Sequence, residues 1–217
     1  MPKKVLSVLF AIALCLLTSC ANEDNAEFTK TLASAEQGDA IAQFNLGVMY
    51  ANGDGVLHNY KQALHWYTES AEQGNDKAQF NLGALFYSGK GTPKDYTQAL
   101  YWYTKSAEQG NDRAQYNLGV MYRDGRGTPQ DYEQALQWYT KSAEQGNDRA
   151  QIDLGMMYVR GNGVPQDNIT AQMWFNIGAA TGSEKGEKAR GMLATIMMPE
   201  QIDEAQRLAR EWMEKHK

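Results

Sequence analysis

The chain has 217 residues, 22% of them charged and 42% hydrophobic, with a formal net charge of −5 at pH 7. That balance is too apolar for a disordered tail and too acidic for a nucleic-acid coat, so no nucleic-acid partner is expected. Two cysteines and three histidines are too few for a disulfide-stapled scaffold or a structural zinc site, and neither a metal nor a cofactor is expected.

Met1-Pro2-Lys3-Lys4 is a short basic start, and Val5 to Leu17 is an apolar run of thirteen residues. A helix that crosses a bilayer needs about 20 residues, so this run suits the core of a signal peptide instead. It closes on Leu17-Thr18-Ser19-Cys20, which resembles the lipobox of bacterial lipoproteins. An ordinary secretory cleavage near Ser19 or Ala21 is the alternative. The resemblance implies a signal peptide over residues 1–19, acylation of Cys20 and a lipid-anchored tether over residues 20–27. The membrane would then be reached through the lipid on Cys20. Loss of Lys3 and Lys4 takes Lys+Arg from 21 to 19 against 26 Asp+Glu, a mature side-chain charge of 19 − 26 = −7. An Asp directly after the cysteine resembles an inner-membrane retention signal. Here Ala21 stands there, which points to the outer membrane, on the periplasmic side rather than the surface.

A capping helix is expected over residues 28–38, and then a period of 36 residues takes over. Leu46-Gly47 returns as Leu82-Gly83, Leu118-Gly119 and Leu154-Gly155. Trp66 returns as Trp102, Trp138 and Trp174, and Gly53-Asp54-Gly55 as Gly89-Lys90-Gly91, Gly125-Arg126-Gly127 and Gly161-Asn162-Gly163. With Gly74, Gly110, Gly146 and Gly182, these positions hold sixteen of the twenty glycines, so glycine serves turns and close contacts rather than a linker. Each unit reads as two helices. Ala42, Leu46 and Tyr50 form one stripe at helical spacing, and Tyr60, Ala63, Leu64, Tyr67 and Ala71 an apolar arc on the next helix. Gly47 is expected where helices approach closely, Gly53 and Gly55 in the reversal, and Gly74 as a left-handed cap. Pro93, Pro129 and Pro165 are expected at the start of the second helix.

The run Ala-x-x-x-Leu-Gly-x-x-Tyr, Gly-x-Gly, Ala-x-x-Trp-Tyr-x-x-x-Ala-x-x-Gly resembles the Sel1-like repeat, a relative of the tetratricopeptide repeat. Four units follow, over residues 39–74, 75–110, 111–146 and 147–182, together 39–182. Phe86, Phe175 and Gly178 depart from the pattern. The implied fold is all-α: a right-handed α-solenoid of antiparallel helix pairs. C-terminal capping helices are expected over residues 183–217, with Gly191 still in register and a last amphipathic helix from Pro199 that turns Ile202, Ala205, Leu208, Ala209 and Trp212 inward.

Catalytic constellations are thin. The Gly-x-Gly loops follow helices and lack the Lys-Ser/Thr of a phosphate loop. His58 and His65, read as two turns apart on one helix, stand too far from each other for a shared metal. Cysteine-rich Sel1-like proteins have been associated with β-lactam binding or hydrolysis. This chain lacks their paired cysteines, and it has no Ser-x-x-Lys or Lys-Thr-Gly. No catalytic residues are therefore expected. Asn168-Ile169-Thr170 is a chance sequon. The Trp-Tyr pairs recur in three units, with Trp174-Phe175 in the fourth, and a position required by every repeat is most simply a packing position.

Positions that vary while staying exposed carry more information. Residues 41, 45, 48 and 52 fall on the side of the first helix away from Leu46, which in tetratricopeptide-like solenoids lines the concave groove. Across units the first position reads Ile41, Lys77, Arg113 and Arg149. The second reads Asn45, Asn81, Asn117 and Asp153, and the last ends on Arg160. A column of amides beside a line of cations resembles a groove for an extended peptide: amides pair with backbone, and Lys/Arg with carboxylates. A solvated face with no ligand is the alternative. The leading expectation is a non-enzymatic envelope lipoprotein that binds another protein or peptide. An immunity protein against a toxin acting in the periplasm, such as a secreted phospholipase, comes second. A β-lactamase-like hydrolase or antibiotic-binding protein is the remote third.

Overall fold

The structure is a computed structural model that describes residues 26–216; the expected signal peptide, Cys20 and most of the expected tether lie outside the described residues. Eleven helices and no strand occur among those residues. Helix α1 covers residues 26–36. Four pairs follow: α2 (Ala40–Asn52) with α3 (Tyr60–Glu72), α4 (Asp76–Ser88) with α5 (Tyr96–Glu108), α6 (Asp112–Asp124) with α7 (Tyr132–Glu144), and α8 (Asp148–Arg160) with α9 (Asn168–Ala180). Helices α10 (Glu184–Ala194) and α11 (Pro199–Lys215) close the chain. No helix among the described residues is long and apolar enough to cross a membrane.

Local sequence sets the boundaries of the paired helices. The first helix of each pair is capped by Asp39, Asn75, Asn111 or Asn147, whose side chain accepts from the backbone N–H three residues on, at 2.7–3.1 Å. The second is capped by Asn59, Asp95, Asp131 or Asp167 in the same manner. Such a cap satisfies one of the donors that a helix start leaves unpaired. The first helices end on a glycine in the left-handed region, with φ of 66–85°. These caps correct two expectations. Pro93, Pro129 and Pro165 do not open the second helices; they lie in the loop, ahead of Asp95, Asp131 and Asp167. His58 also precedes its helix, since Asn59 is the cap. Its ring meets Tyr60 edge-on at 4.2 Å.

The chain divides into two compact units, Met1–Lys94 and Asp95–Lys217, each with its own packing. In the first, Ala35, Ala42 and Leu46 are buried together, with Phe28, Leu32, Tyr50 and Trp66 packed against them. In the second, Tyr139, Leu154, Met157, Trp174 and Ile177 form the main cluster, and Ala209 on α11 joins it. Ala171, Phe175, Leu193 and Met197 make a smaller one. The expected arc on the second helices is present: Ala63, Tyr67 and Ala71 are buried, with Tyr60 and Leu64 half-buried.

Buried amides tie the repeats together, and a hydrophobic reading passes over them. Gln43, Gln79, Gln115 and Gln151 are all buried. Each donates to the carbonyl eight residues back: Ala35, Ala71, Ala107 and Ala143, at 3.1–3.2 Å. Gln73 and Gln145 donate in turn to the side-chain oxygens of Gln43 and Gln115, both at 2.7 Å. Ser70 and Ser142 donate to the carbonyls of Ala40 and Asp112. The last repeat loses part of this set, because Gly178 and Thr181 stand where Ser142 and Gln145 would recur. Gln151 Oε1 is accordingly buried without a hydrogen-bond partner.

Gly191 keeps its register, but a Cβ there would meet nothing within 4 Å. The crowded glycine of α10 is Gly186, whose Cβ would lie 2.8 Å from the backbone nitrogen of Ala179.

Candidate functional site

Ile41, Lys77, Arg113 and Arg149 each occupy the second residue of α2, α4, α6 and α8, and all four are exposed. Asn45 is exposed one turn further on, and Arg160 is exposed at the end of α8. Asn45, Lys77 and Asn81 belong to the first unit; Arg113, Asn117, Arg149, Asp153 and Arg160 belong to the second.

The amide column is more deeply set than the cations. Asn81, Asn117 and Asp153 are half-buried. Burial pushes the Tyr67 phenol up to about 12, against the opposing effect of Asn81.

In the second unit the same column carries a carboxylate. Asp153 Oδ2 accepts from the Tyr116 hydroxyl and from Arg123 Nη1, each at 3.2 Å. Arg123 also donates through Nε to Asp124 at 2.8 Å, and Asp124 pairs with Arg126 at 3.3 Å. Its hydrogen bond to Asp124, and then the nearby charges that include Asp153, hold the Arg123 guanidinium more firmly protonated than usual. Burial, followed by Asp153, pushes the Tyr116 hydroxyl up to about 12. Tyr139 lies behind, its ring centroid 5.7 Å from that of Tyr116. Its hydroxyl is raised above the ordinary phenol range, first by burial and then by Asp153. That hydroxyl is buried and has no hydrogen-bond partner.

An open cavity of about 580 Å³ lies over this cluster, walled by Tyr116 of α6, by Arg149, Ile152 and Asp153 of α8, and by Ser183 to Lys185 at the start of α10. Arg149 and Asp153 are the sequence-derived candidates that it brings together. Tyr116 and Arg123 were not among those candidates. Their signal was present as departure from the repeat: Arg123 stands where the other units have Ala51, Tyr87 and Val159, and Tyr116 where they have Phe44, Phe80 and Ile152. Among the described residues no group of three or more His, Cys, Asp or Glu side chains is placed to hold a metal ion.

The Sel1 repeat family matches residues 40–75, 76–111, 112–147 and 148–183. A Sel1 repeat protein from Oxalobacter formigenes is 33% identical, with 94% of this chain and 84% of that one covered and a TM-score of 0.75. A protective antigen present in uropathogenic Escherichia coli strains, displaying an SLR fold, is 28% identical, with 89% of this chain and 57% of that one covered and a TM-score of 0.49. No curated protein matches the chain.

Proposed function

The chain belongs to the Sel1 repeat family, and on that premise we propose that it is a non-enzymatic scaffold that binds an extended segment of another protein along its first-helix face. One observation carries the reading. The residues common to the repeats are consumed by the repeats themselves: glycine against tyrosine, glutamine against backbone carbonyl, aspartate or asparagine at helix starts. The positions that vary, Ile41, Lys77, Arg113 and Arg149, are the exposed ones.

A cationic site on a chain of net charge −5 favours acidic partners and steers them locally, while the surrounding acids disfavour wrong ones. In the first unit Lys77 would take a carboxylate, with Asn45 and Asn81 beside the backbone it belongs to; in the second, Arg113 and Arg149 would do so, with Asn117 and Asp153 beside the backbone and Arg160 at the far end of α8. Acylated Cys20 would hold the scaffold at the outer membrane, facing the periplasm, where its partner is met.

The test is a double charge reversal, Arg113→Glu with Arg149→Glu. Both residues are exposed, so circular dichroism is expected to be unchanged. Capture of partner from envelope extract is expected to weaken by about 2–5 kcal/mol if the charges are desolvated on binding, or to slow with a changed salt dependence if they stay at the rim. Equal capture by mutant and wild type at two salt concentrations removes the first-helix face as the binding site.

A further inference from the structure

Resting on that reading, we infer that the cavity between α6, α8 and the start of α10 is a pocket for one basic side chain of the bound segment, an arginine in particular. Three departures from the repeat meet there. Asp153 replaces the asparagine of the other units, Tyr116 brings a hydroxyl, and Arg123 brings a charge. The contact of Tyr116 and Arg123 with one oxygen of Asp153 shows that the three form a unit.

The cluster balances its own charge: Arg123 and Arg126 face Asp124 and Asp153. It still leaves acceptor capacity. Both donors reach Oδ2, which leaves Asp153 Oδ1 for a donor from the cavity.

What fixed groups the wall offers decides the sign of the ligand. Asp148 and Asp153 are carboxylates on short stems, whereas Arg149 and Lys185 are cations on long, flexible ones. The cations can swing to the rim and meet acidic neighbours on the segment; the carboxylates stay in place. The Tyr116 ring on the wall offers a face on which a guanidinium can stack. A guanidinium also carries enough donors to reach Asp153 Oδ1 and a rim carboxylate together. The segment is therefore an acidic stretch interrupted by one basic residue.

The experiment uses the mature protein and a capped pentapeptide, Glu-Glu-Arg-Glu-Glu, beside its twin with citrulline in place of arginine. Citrulline keeps the shape and removes the charge. The arginine peptide is expected to bind about tenfold or more tightly than the citrulline one, as a lost charged hydrogen bond implies. Asp153→Asn restores the residue that the other three repeats carry, so folding is expected to be retained and the difference between peptides to collapse. Equal affinity of the two peptides, no binding of either at millimolar concentration, or an undiminished difference in folded Asp153→Asn overturns the pocket. Partner capture separates this from the broader reading. If Asp153→Asn captures as wild type while the Arg113/Arg149 reversal does not, the groove stands and the pocket falls. If the reversal also captures as wild type, the groove falls as well.

Discussion

A Cβ at Gly119 would lie 2.5 Å from Cδ1 of Tyr139, as one at Gly47 would from Tyr67. Both rings are buried and cannot withdraw. Gly119→Leu is therefore expected to cost about 1–3 kcal/mol by overpacking. Exposed Glu133→Gln is expected to stay within about 0.5 kcal/mol. Melting temperatures read by circular dichroism compare the two, and equal values would mean that helix and ring are not in contact. Tyr67 and Tyr116 carry a second expectation. Their folded pKa values lie near about 12, above the ordinary phenol value, chiefly through burial. A raised folded value gives stability that is complete below the unfolded pKa of about 10 and is lost as pH climbs through the folded one. Phenolate absorbance is expected to rise in two stages, the later stage coinciding with loss of helix. A single stage near the ordinary value, with the helices intact, would contradict the burial. Gly119 was legible in the sequence because it sits beside an apolar stripe and recurs. Gln115 recurs equally but was missed, since a buried amide that is satisfied by a carbonyl looks like a surface residue in any hydrophobic pattern.

At the scale of the helix, the polar caps fix where each of the eight repeat helices starts. Asp131 accepts from the N–H of Gln134 at 2.9 Å, and Asp131→Ala is expected to cost about 1 kcal/mol. Asp167 receives three hydrogen bonds, from the backbone N–H groups of Ile169 and Thr170 and from the Thr170 hydroxyl at 2.6 Å. Burial raises its pKa, but the bonds from Thr170 and Ile169 together outweigh burial and leave it below the usual carboxylate value. A depressed folded pKa contributes stability above the unfolded value of about 3.9, and that stability is lost as pH falls through the folded one. Asp167→Asn is thus expected to lower stability at neutral pH and to flatten the acid limb of a stability–pH curve. An acid limb identical to wild type would show that Asp167 ionisation does not contribute. The helix pairing itself was legible, because a 36-residue period joined to a helical stripe admits little else. The prolines and His58 were placed a few residues too far along. Composition signals that a helix is near, but the aspartate or asparagine that accepts the first free N–H decides where it begins.

At the scale of the whole molecule, fold and site differ in how openly the sequence writes them. The fold is written four times over; the cluster of Tyr116, Arg123 and Asp153 is written once, as three departures that only the folded chain brings together. The expected address, Leu17-Thr18-Ser19-Cys20 with the apolar run before it, is written once too. Among residues 26–216 no helix is suited to cross a membrane. On the proposed reading, the lipid on Cys20 would make the attachment to the envelope. A single acyl chain gives marginal membrane binding, at about 0.8 kcal/mol per buried CH₂, and stable anchoring takes a second signal. Further acyl groups on the lipidated cysteine would supply it, since a mature side-chain charge of 19 − 26 = −7 offers anionic headgroups no attraction. Wild type is expected to take up labelled palmitate and to sediment with outer membranes, resistant to salt and released by detergent. Cys20→Ala is expected to take up no label and to appear as an uncut precursor or as a soluble, differently cleaved form. The folded part should be unaffected by that change, so a released form is expected to keep its helical spectrum and its captured partner. Palmitate on Cys20→Ala, or salt alone releasing the wild type, would make the anchor something other than this cysteine.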